Sequence, residues 1–382
     1  MSTPQRPSRV RLLAVALLIA VLGVPAAAAA QTGETQPDPH DSPPPSPLII
    51  RAFGSVQWGA TEERDTPSSF TLGQFAVFLT GQISERVSVL AEIVMEGSIN
   101  TRVVTDLERL QLTYRFNDAM RLSAGRYHTG IGFYNAAFHH GGYFEAPIGR
   151  PRAFAFEDEG GILPVHEVGL TARGTIPNTG SALRYLLEVG NGRRWTPADE
   201  EEEAGGDENE AKSINAGLSL KPDQWPGFEA GVSLYRDTIP VPSLPGVGHY
   251  VVASFVTYRT PQVEVLAEWL HLTHRVAAGP RFGNNAGYVQ ASRAFGTLRP
   301  YYRYDRLAID EGTPFIGSIG SFTGHTLGLR VDHGAPLAIY PHRQTTCVRL
   351  MRVQSLRPVL AARRWCRERP VCHRWKRSTP AV

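Results

Sequence analysis

Residues 107–116 read LERLQLTYRF, and this stretch decides the class of fold. Apolar side chains occupy Leu110, Leu112, Tyr114 and Phe116, whereas polar side chains occupy the positions between them. Successive side chains of a β-strand point to opposite faces, so the alternation predicts a strand with one apolar and one polar face. The stretch also matches the length of about 9–11 residues that a tilted strand needs to cross a bilayer.

The same period of two recurs about fourteen times between residues 48 and 331. The other candidate strands are residues 49–59, 70–80, 87–96, 120–127, 166–174, 183–190, 214–221, 228–235, 250–259, 263–274, 287–295, 299–307 and 325–331. No apolar run in this body reaches the roughly 20 residues of a transmembrane helix. The sequence therefore predicts an all-β fold.

The connections between these strands alternate in length. One set is mostly short, at residues 81–86, 117–119, 175–182, 222–227, 260–262 and 296–298. The interleaved set is longer, at residues 60–69, 97–106, 128–165, 191–213, 237–249, 275–286 and 308–324. Short turns at one end and long loops at the other are typical of outer-membrane barrels. We predict a transmembrane, antiparallel up-and-down β-barrel of about 14–16 strands.

A secreted, soluble all-β module that binds carbohydrate or another ligand is the alternative. Alternation alone fits any antiparallel sheet with one face on a core and one face in water. The sorted loop lengths favour the barrel.

The N-terminal 47 residues are predicted to lie outside the barrel. Arg6, Arg9 and Arg11 precede an apolar run at residues 12–24 and small residues at 26–30. A basic start, a short apolar centre and small residues at the end are typical of a secretory signal, here cleaved after Ala30. Residues 31–47 follow as a Pro-rich extended linker, and the barrel is expected to span residues 48–339.

Residues 340–382 differ in composition from everything before them. They hold ten Arg and one Lys against a single acid, Glu368, together with all three cysteines of the chain. The segment is interpreted as an irregular tail, with three origins left open. It is a basic region for anionic lipid, a metal site with Cys366, Cys372 and His373 as ligands, or out-of-frame translation of the end of the gene.

The net charge of +3 hides an acidic body between two basic ends. Residues 31–339 hold 25 Lys and Arg residues against 35 Asp and Glu residues. Taken whole, the near-neutral balance of 39 Lys and Arg residues against 36 Asp and Glu residues argues against a nucleic-acid binder. We expect no nucleic-acid partner.

The longest connection, residues 128–165, is rich in glycine and aromatic side chains. A loop of this length inside a compact fold is either functional or disordered, and its apolar content favours function. We predict that it folds towards the pore and narrows it. The candidate constriction residues are His128, Phe133, Tyr134, Asn135, His139, His140, Glu157, Asp158 and Glu159.

A short motif spans the start of this loop. Its residues are Gly125, Arg126 and Tyr127 at the end of a strand, followed by Gly132, Phe133 and Asn135. In this motif and in its strand pattern the sequence resembles the outer-membrane porins, especially the porin O/P-like, phosphate-selective branch. The resemblance implies a trimeric, sixteen-stranded diffusion channel whose third loop constricts the lumen. Gly130 stands where that family's motif usually has proline, and lysine is scarce.

Charged residues on the polar faces are the candidates for the lining of the pore. They are Arg109, Arg115, Arg173, Arg184, Arg303, Arg330, Glu92, Glu188 and Glu229. The expected function is passive diffusion of small hydrophilic solutes, anions among them, across the outer membrane of a Gram-negative-type bacterium. The expected partners are these solutes, outer-membrane lipid and lipopolysaccharide, and further copies of the chain in a homotrimer.

The sequence gives no sign of an enzyme. It contains no GxSxG, HExxH or P-loop motif, and its paired carboxylates fall in loops. His139 and His140 are adjacent, so on a strand they would point to opposite sides and would not chelate one ion together. We expect no catalytic residues, no cofactor and no metal site.

Overall fold

The computed structural model describes residues 14–21, 48–59, 68–97, 103–138, 145–157, 159–176, 182–195, 209–242, 244–333 and 337–349. Sixteen strands lie within them: β1 (Ala14–Val21), β2 (Ile49–Gly59), β3 (Ser69–Gln82), β4 (Val87–Gly97), β5 (Val103–Asn117), β6 (Met120–His128), β7 (His166–Thr175), β8 (Ala182–Gly190), β9 (Ser213–Lys221), β10 (Phe228–Ile239), β11 (Val247–Arg259), β12 (Val263–Val276), β13 (Arg281–Arg293), β14 (Leu298–Ala308), β15 (Ser321–His333) and β16 (Leu337–Arg349). Each strand pairs antiparallel with the next one in the chain, and β1 also pairs with β16. The sheet is therefore a closed up-and-down barrel.

Helical structure is limited to three short segments in the described residues. A single turn, α1 (Tyr134–Ala137), and two 3-10 turns, Arg152–Phe154 and Gly317–Ile319, all lie in connections between strands. Among the described residues, no helix has the length and apolar character needed to cross a bilayer.

The predicted all-β, up-and-down barrel is confirmed. All fourteen candidate strands are strands in the structure, with ends that differ by a few residues. In β5 the side chains of Leu110 and Leu112 are exposed on the outer face, while Arg109 on the opposite face is buried. The alternation thus separates an outer face from a lumen face, because a side-chain period of two is fixed by the pleat.

Two strands lie where the sequence analysis expects none. β1 falls inside the segment interpreted as a cleaved signal, and β16 crosses residue 340, where the irregular tail was expected to begin. The barrel therefore extends beyond residue 339. Residues 337–349 lack a clear apolar face, so their strand follows from the register with β15 and not from their own pattern. The remainder of the expected signal, the linker at 31–47 and residues 350–382 lie outside the described residues.

The two ends of the barrel differ in their connections, as predicted. From β3 onwards, the connections at the short-turn end are residues 83–86, 118–119, 176–181, 222–227, 260–262, 294–297 and 334–336, and residues 22–48 join β1 to β2 at the same end. At the long-loop end they include residues 129–165, 191–212 and 309–320. Two predicted long loops are shorter than expected, at 240–246 and 277–280, because β10 to β13 continue as paired hairpins beyond their apolar stretches.

The outer face of the barrel is apolar over most of its circumference. Leu187 and Leu234, for example, are 52% and 58% exposed. Other exposed apolar side chains on this face are Leu110, Leu112, Val168, Leu170, Val189, Leu218, Leu220, Val232, Val252, Val256, Val265, Trp269, Val289 and Leu327. A continuous apolar surface of this extent is far larger than a soluble monomer exposes to water.

Candidate functional site in the barrel lumen

The 129–165 loop turns into the lumen directly after β6. Its two ends are tied together, because the Thr129 N–H donates to the Val165 carbonyl at 2.9 Å and the Thr129 hydroxyl donates to the Pro164 carbonyl at 2.6 Å. The Asn135 amide then donates to the Thr129 carbonyl at 2.8 Å. These bonds satisfy buried backbone groups that the strand ladder does not reach, as burial requires.

The loop packs against an apolar patch on the lumen wall. Its buried side chains include Phe133, Tyr134 and Phe154. The wall contributes Val251, Ala253, Leu266, Leu270, Leu272, Ala286, Tyr288 and Leu307 from β11 to β14. Burial of one such side chain stabilises the folded state by about 1.5–3 kcal/mol. The loop is therefore held in the lumen by a hydrophobic core of its own.

Glu268 on β12 is the central polar contact of this core. Its carboxylate accepts from the N–H groups of Phe133 at 2.6 Å and Tyr134 at 2.8 Å, and from the Tyr288 hydroxyl at 2.6 Å. Gly132 has a φ of 74°, and a Cβ at this position would collide with the Glu268 carboxylate. The glycine thus permits both the left-handed turn and the close approach.

Further wall residues bind the loop on either side of Glu268. The Glu188 carboxylate accepts from the Gly130 N–H at 2.8 Å, and the Asp305 carboxylate accepts from the Arg152 N–H at 2.9 Å. Arg193, in the next long connection, donates to the carbonyls of Leu163 and Gly161, each at 2.8 Å. The loop is therefore tied at several separate points to the barrel wall and to the next long connection.

Arg150 organises the loop internally. Its guanidinium donates to the carbonyl oxygens of Phe154 at 2.6 Å and Phe138 at 3.1 Å, and to the side-chain oxygen of Asn135 at 3.1 Å. It also lies 4.2 Å from the ring centre of Phe156, a cation–π distance. A half-buried arginine with three acceptors leaves little freedom to this part of the loop.

Two loop carboxylates have opposite pKa shifts. Burial raises the pKa of Glu145, despite the opposing charges of Arg150 and Arg303. Burial alone would also raise the pKa of Glu157, but the hydrogen bond and charge of His166, together with Arg193 and the Val165 N–H, hold it at about 2. Glu157 is consequently ionised at neutral pH.

Two cavities remain in the lumen below the loop, towards the short-turn end. The β9–β15 cavity is about 560 Å³ and the β6–β11 cavity is about 510 Å³. Phe133 in the first part of the loop and Glu229 on β10 line both cavities. The loop thus forms one wall of the open part of the lumen.

Basic side chains predominate in both cavities. The β6–β11 cavity holds Arg121, Arg173 and Arg184, with Asp118 and Glu229 as acids. The basic residues of the β9–β15 cavity are Lys221, Arg259, Arg299 and Arg330, and its acids are Glu229, Glu264 and Asp332. Seven bases therefore face four acids around this space.

The predicted pore-lining residues fall into two groups of four, with Arg115 in neither. Arg173, Arg184, Arg330 and Glu229 line the cavities. Four others are buried in fixed contacts: Arg109 with Glu92, Arg303 with Asp305 at 2.9 Å, and Glu188 with the loop. Arg115 is half exposed at the short-turn end, 3.9 Å from Asp118.

The predicted constriction residues also separate. Phe133, Tyr134 and Asn135 lie in the first part of the loop, which docks on the wall, whereas His128 is the last residue of β6 and Glu157 lies beside His166. The Glu159 carbonyl accepts from Arg152. His139, His140 and Asp158 lie outside the described residues.

Sequence reasoning missed Arg121, Lys221, Arg259 and Arg299 in the cavities and Glu268 beneath the loop. The alternation along each strand places all of them on the lumen face, because each has a neighbour in sequence that is an apolar residue of the outer face. The alternation does not say how far along the barrel axis each residue lies. Arg121 lies directly opposite Arg173 in the β6–β7 ladder, a pairing that only the register reveals.

Comparison with known proteins bears on the fold. No family model matches the chain, and no curated protein does. Among solved structures, the anion-selective porin from Comamonas acidovorans has a TM-score of 0.50 at 10% identity, over 88% of this chain and 89% of that chain. OmpT, an outer membrane protein of Vibrio cholerae in its trimer form, has a TM-score of 0.47 at 11% identity, over 79% and 90%. The outer membrane channel DcaP of Acinetobacter baumannii has a TM-score of 0.47 at 9% identity, over 88% and 95%. The chain has the fold of a porin β-barrel.

Proposed function

We propose that this protein is an outer-membrane channel that lets small hydrophilic solutes diffuse passively, with a preference for anions. The observation that supports this proposal is a closed barrel whose outer face is apolar and whose lumen holds charged cavities beside a docked loop. Barrels of about sixteen strands enclose an aqueous channel, and an inserted loop narrows it. The apolar outer face does not favour the alternative of a soluble binding module. Transport of this kind needs no cofactor and involves no reaction.

The location of the outer face in the membrane can be tested by introducing a charged residue on that face. Leu187 lies near the middle of β8 and is 52% exposed. Leu187→Arg is expected to lower the free energy of unfolding in lipid vesicles by about 2–4 kcal/mol, the cost of an arginine at the bilayer midplane. Ile83→Arg is the matched control, because Ile83 is equally exposed but lies in a turn. Equal, small effects of the two variants would contradict burial of this face in lipid.

The preference for anions rests on the excess of bases around the cavities. A unit charge 4 Å from a solute ion in water contributes about 1 kcal/mol, or roughly a fivefold change in local anion concentration. Arg121, Arg173 and Arg184 line the same cavity, together with the two acids Asp118 and Glu229. The net positive charge of this cavity is therefore expected to favour the entry of anions.

Replacement of these three arginines by serine is expected to lower the ratio of chloride to potassium permeability at least fivefold. The measurement is the reversal potential of single channels in a KCl gradient across a planar bilayer. Arg306→Ser is the control, since Arg306 is exposed on the outer face of β14. A reversal potential equal to that of the wild type would contradict the proposed role of these three arginines.

The outer face also fits the expected lipid partners. Arg236, Arg275, Arg281 and Arg306 are exposed near the long-loop end, and Arg275 lies directly opposite Arg281. Guanidinium groups bind phosphate strongly, so this belt suits the phosphates of lipopolysaccharide. A homotrimer is part of the same proposal. It is tested by the mass of the detergent-purified protein from light scattering.

A further inference from the structure

Three metal-ligating side chains meet where the long loop leaves and rejoins the barrel. His128 is the last residue of β6 and His166 is the first residue of β7, and the two lie opposite each other in the ladder. Glu108 comes from β5, where a bulge opposite Glu92 and Ile93 inserts it as an extra residue. A bulge re-aims side chains in this way, often next to functional sites. We call these three residues the loop root.

The donor atoms of the loop root are close to one another. One imidazole nitrogen from each histidine and one Glu108 carboxylate oxygen all lie within 4.8 Å of one another. The His166 Nε2 lies 2.5 Å from Glu108 Oε2, and the two imidazole centroids are 4.7 Å apart. Donors of a tetrahedral zinc centre are separated by about 3.5 Å, given bonds of 2.0–2.2 Å. Small side-chain rotations would therefore bring all three onto one ion.

The residues around the loop root support His166 in the way that metal ligands are supported. The Nδ1 of His166 lies 3.3 Å from a Glu157 carboxylate oxygen, and the other oxygen of Glu157 accepts from the His166 backbone N–H at 3.1 Å. The Phe156 ring stacks on the imidazole at 5.6 Å. A carboxylate on the far nitrogen of a histidine fixes its tautomer and orientation towards a metal.

We propose that Glu108, His128 and His166 bind one divalent transition metal, for which Zn²⁺ is the best fit. Two histidines and a glutamate form a recurrent zinc ligand set with a fourth position open. Bound there, the ion joins three strands and both ends of the 129–165 loop. This inference concerns how the loop is held, and it stands whether or not the protein conducts solutes.

The same contacts have a competing explanation. A protonated His166 between Glu108 and Glu157 would form an ion-paired chain without any metal. In that case the loop root has no affinity for Zn²⁺ above that of an exposed histidine. The two explanations differ in whether the protein binds a stoichiometric ion.

The experiment is a calorimetric Zn²⁺ titration of the full chain, without a tag, purified in detergent and stripped with a chelator. One saturable equivalent is expected. His166→Gln and Glu108→Gln are expected to abolish it, and Glu157→Gln is expected to weaken it by 10–100-fold, as loss of a supporting carboxylate does. The control is His271→Gln, whose side chain is bonded to Asn285 on the outer side and should leave binding unchanged.

X-ray absorption of the zinc-loaded wild type gives a second readout that needs no variant. Imidazole nitrogen and carboxylate oxygen donors without sulfur would support the loop root. Sulfur donors would assign the ion to the cysteines and overturn the proposal. Absence of a saturable equivalent, or an equal loss in His271→Gln, would also overturn it.

Discussion

A chain that begins at residue 31 is expected to refold into a closed barrel far less efficiently than the full chain. β1 pairs with residues 52–58 of β2 on one side and with residues 337–342 of β16 on the other. Without β1 both neighbours become edges, and each unpaired backbone group in lipid costs several kcal/mol. The measurement is the yield of the compact, heat-modifiable band on a semi-native gel after refolding in detergent.

The matched control is a chain that ends at residue 349. It keeps all sixteen strands and is expected to refold as the full chain does. If the chain from residue 31 refolds equally well, β1 does not close the barrel. That result would support our interpretation of residues 1–30 as a removable export signal, because a strand and a cleaved signal exclude each other in one mature chain.

The number of strands bears on whether the barrel closes without β1. Fifteen strands run from β2 to β16, so the chain enters at the short-turn end and leaves β16 at the long-loop end. Single-chain bacterial barrels have an even number of strands. If residues 1–30 are removed, β2 to β16 leave an odd number of described strands. A shifted reading frame in residues 340–382 is one of the three origins left open for that segment, and resequencing of the gene tests it.

The second large effect is expected from Glu268→Ala. The substitution removes three hydrogen bonds to a carboxylate, at about 1.5–3 kcal/mol each, and leaves the buried N–H groups of Phe133 and Tyr134 unsatisfied. We expect the first part of the loop, around Phe133 and Tyr134, to leave the wall. Single-channel conductance should rise, and proteolysis within residues 129–165 should become faster.

Glu229→Ala is the control for this experiment. Glu229 lines both cavities, so its loss changes the charge of the lumen and leaves the two loop contacts of Glu268 and its bond from Tyr288 in place. Glu268→Gln should lie between the wild type and the alanine variant, because its amide oxygen still accepts a hydrogen bond. A Glu268→Ala protein with wild-type conductance and protease resistance would show that the apolar contacts alone hold the loop.

The strands were predictable because each one has an apolar outer face and a polar lumen face. Such a strand alternates apolar and polar side chains with a period of two. β1 and β16 were not predictable, since their place depends on pairing with partners and not on a pattern of their own. The lengths of the 240–246 and 277–280 connections were also missed. Their flanking residues pair by backbone hydrogen bonds, which do not require an apolar face.

The site was predictable only in outline. The composition of residues 128–165 predicted an inserted loop, but not the wall on which it docks. In β12, Leu266 and Leu270 face the lumen while Val265 and Trp269 face outwards, so both faces are apolar and the pattern hides the docking surface. The loop root brings together residues 20 and 38 positions apart, a proximity that depends on register and on one bulge.

The contacts of Phe133 and Tyr134 with Glu268 join residues 135 and 134 positions apart in the chain. Contacts of such sequence separation form late, because the closure of a long loop costs entropy before the contact repays it. During synthesis from the N-terminus, the aromatic loop is therefore made before β12 to β14, the strands against which it packs. Until those strands are in place, its apolar side chains are exposed and are a target for aggregation.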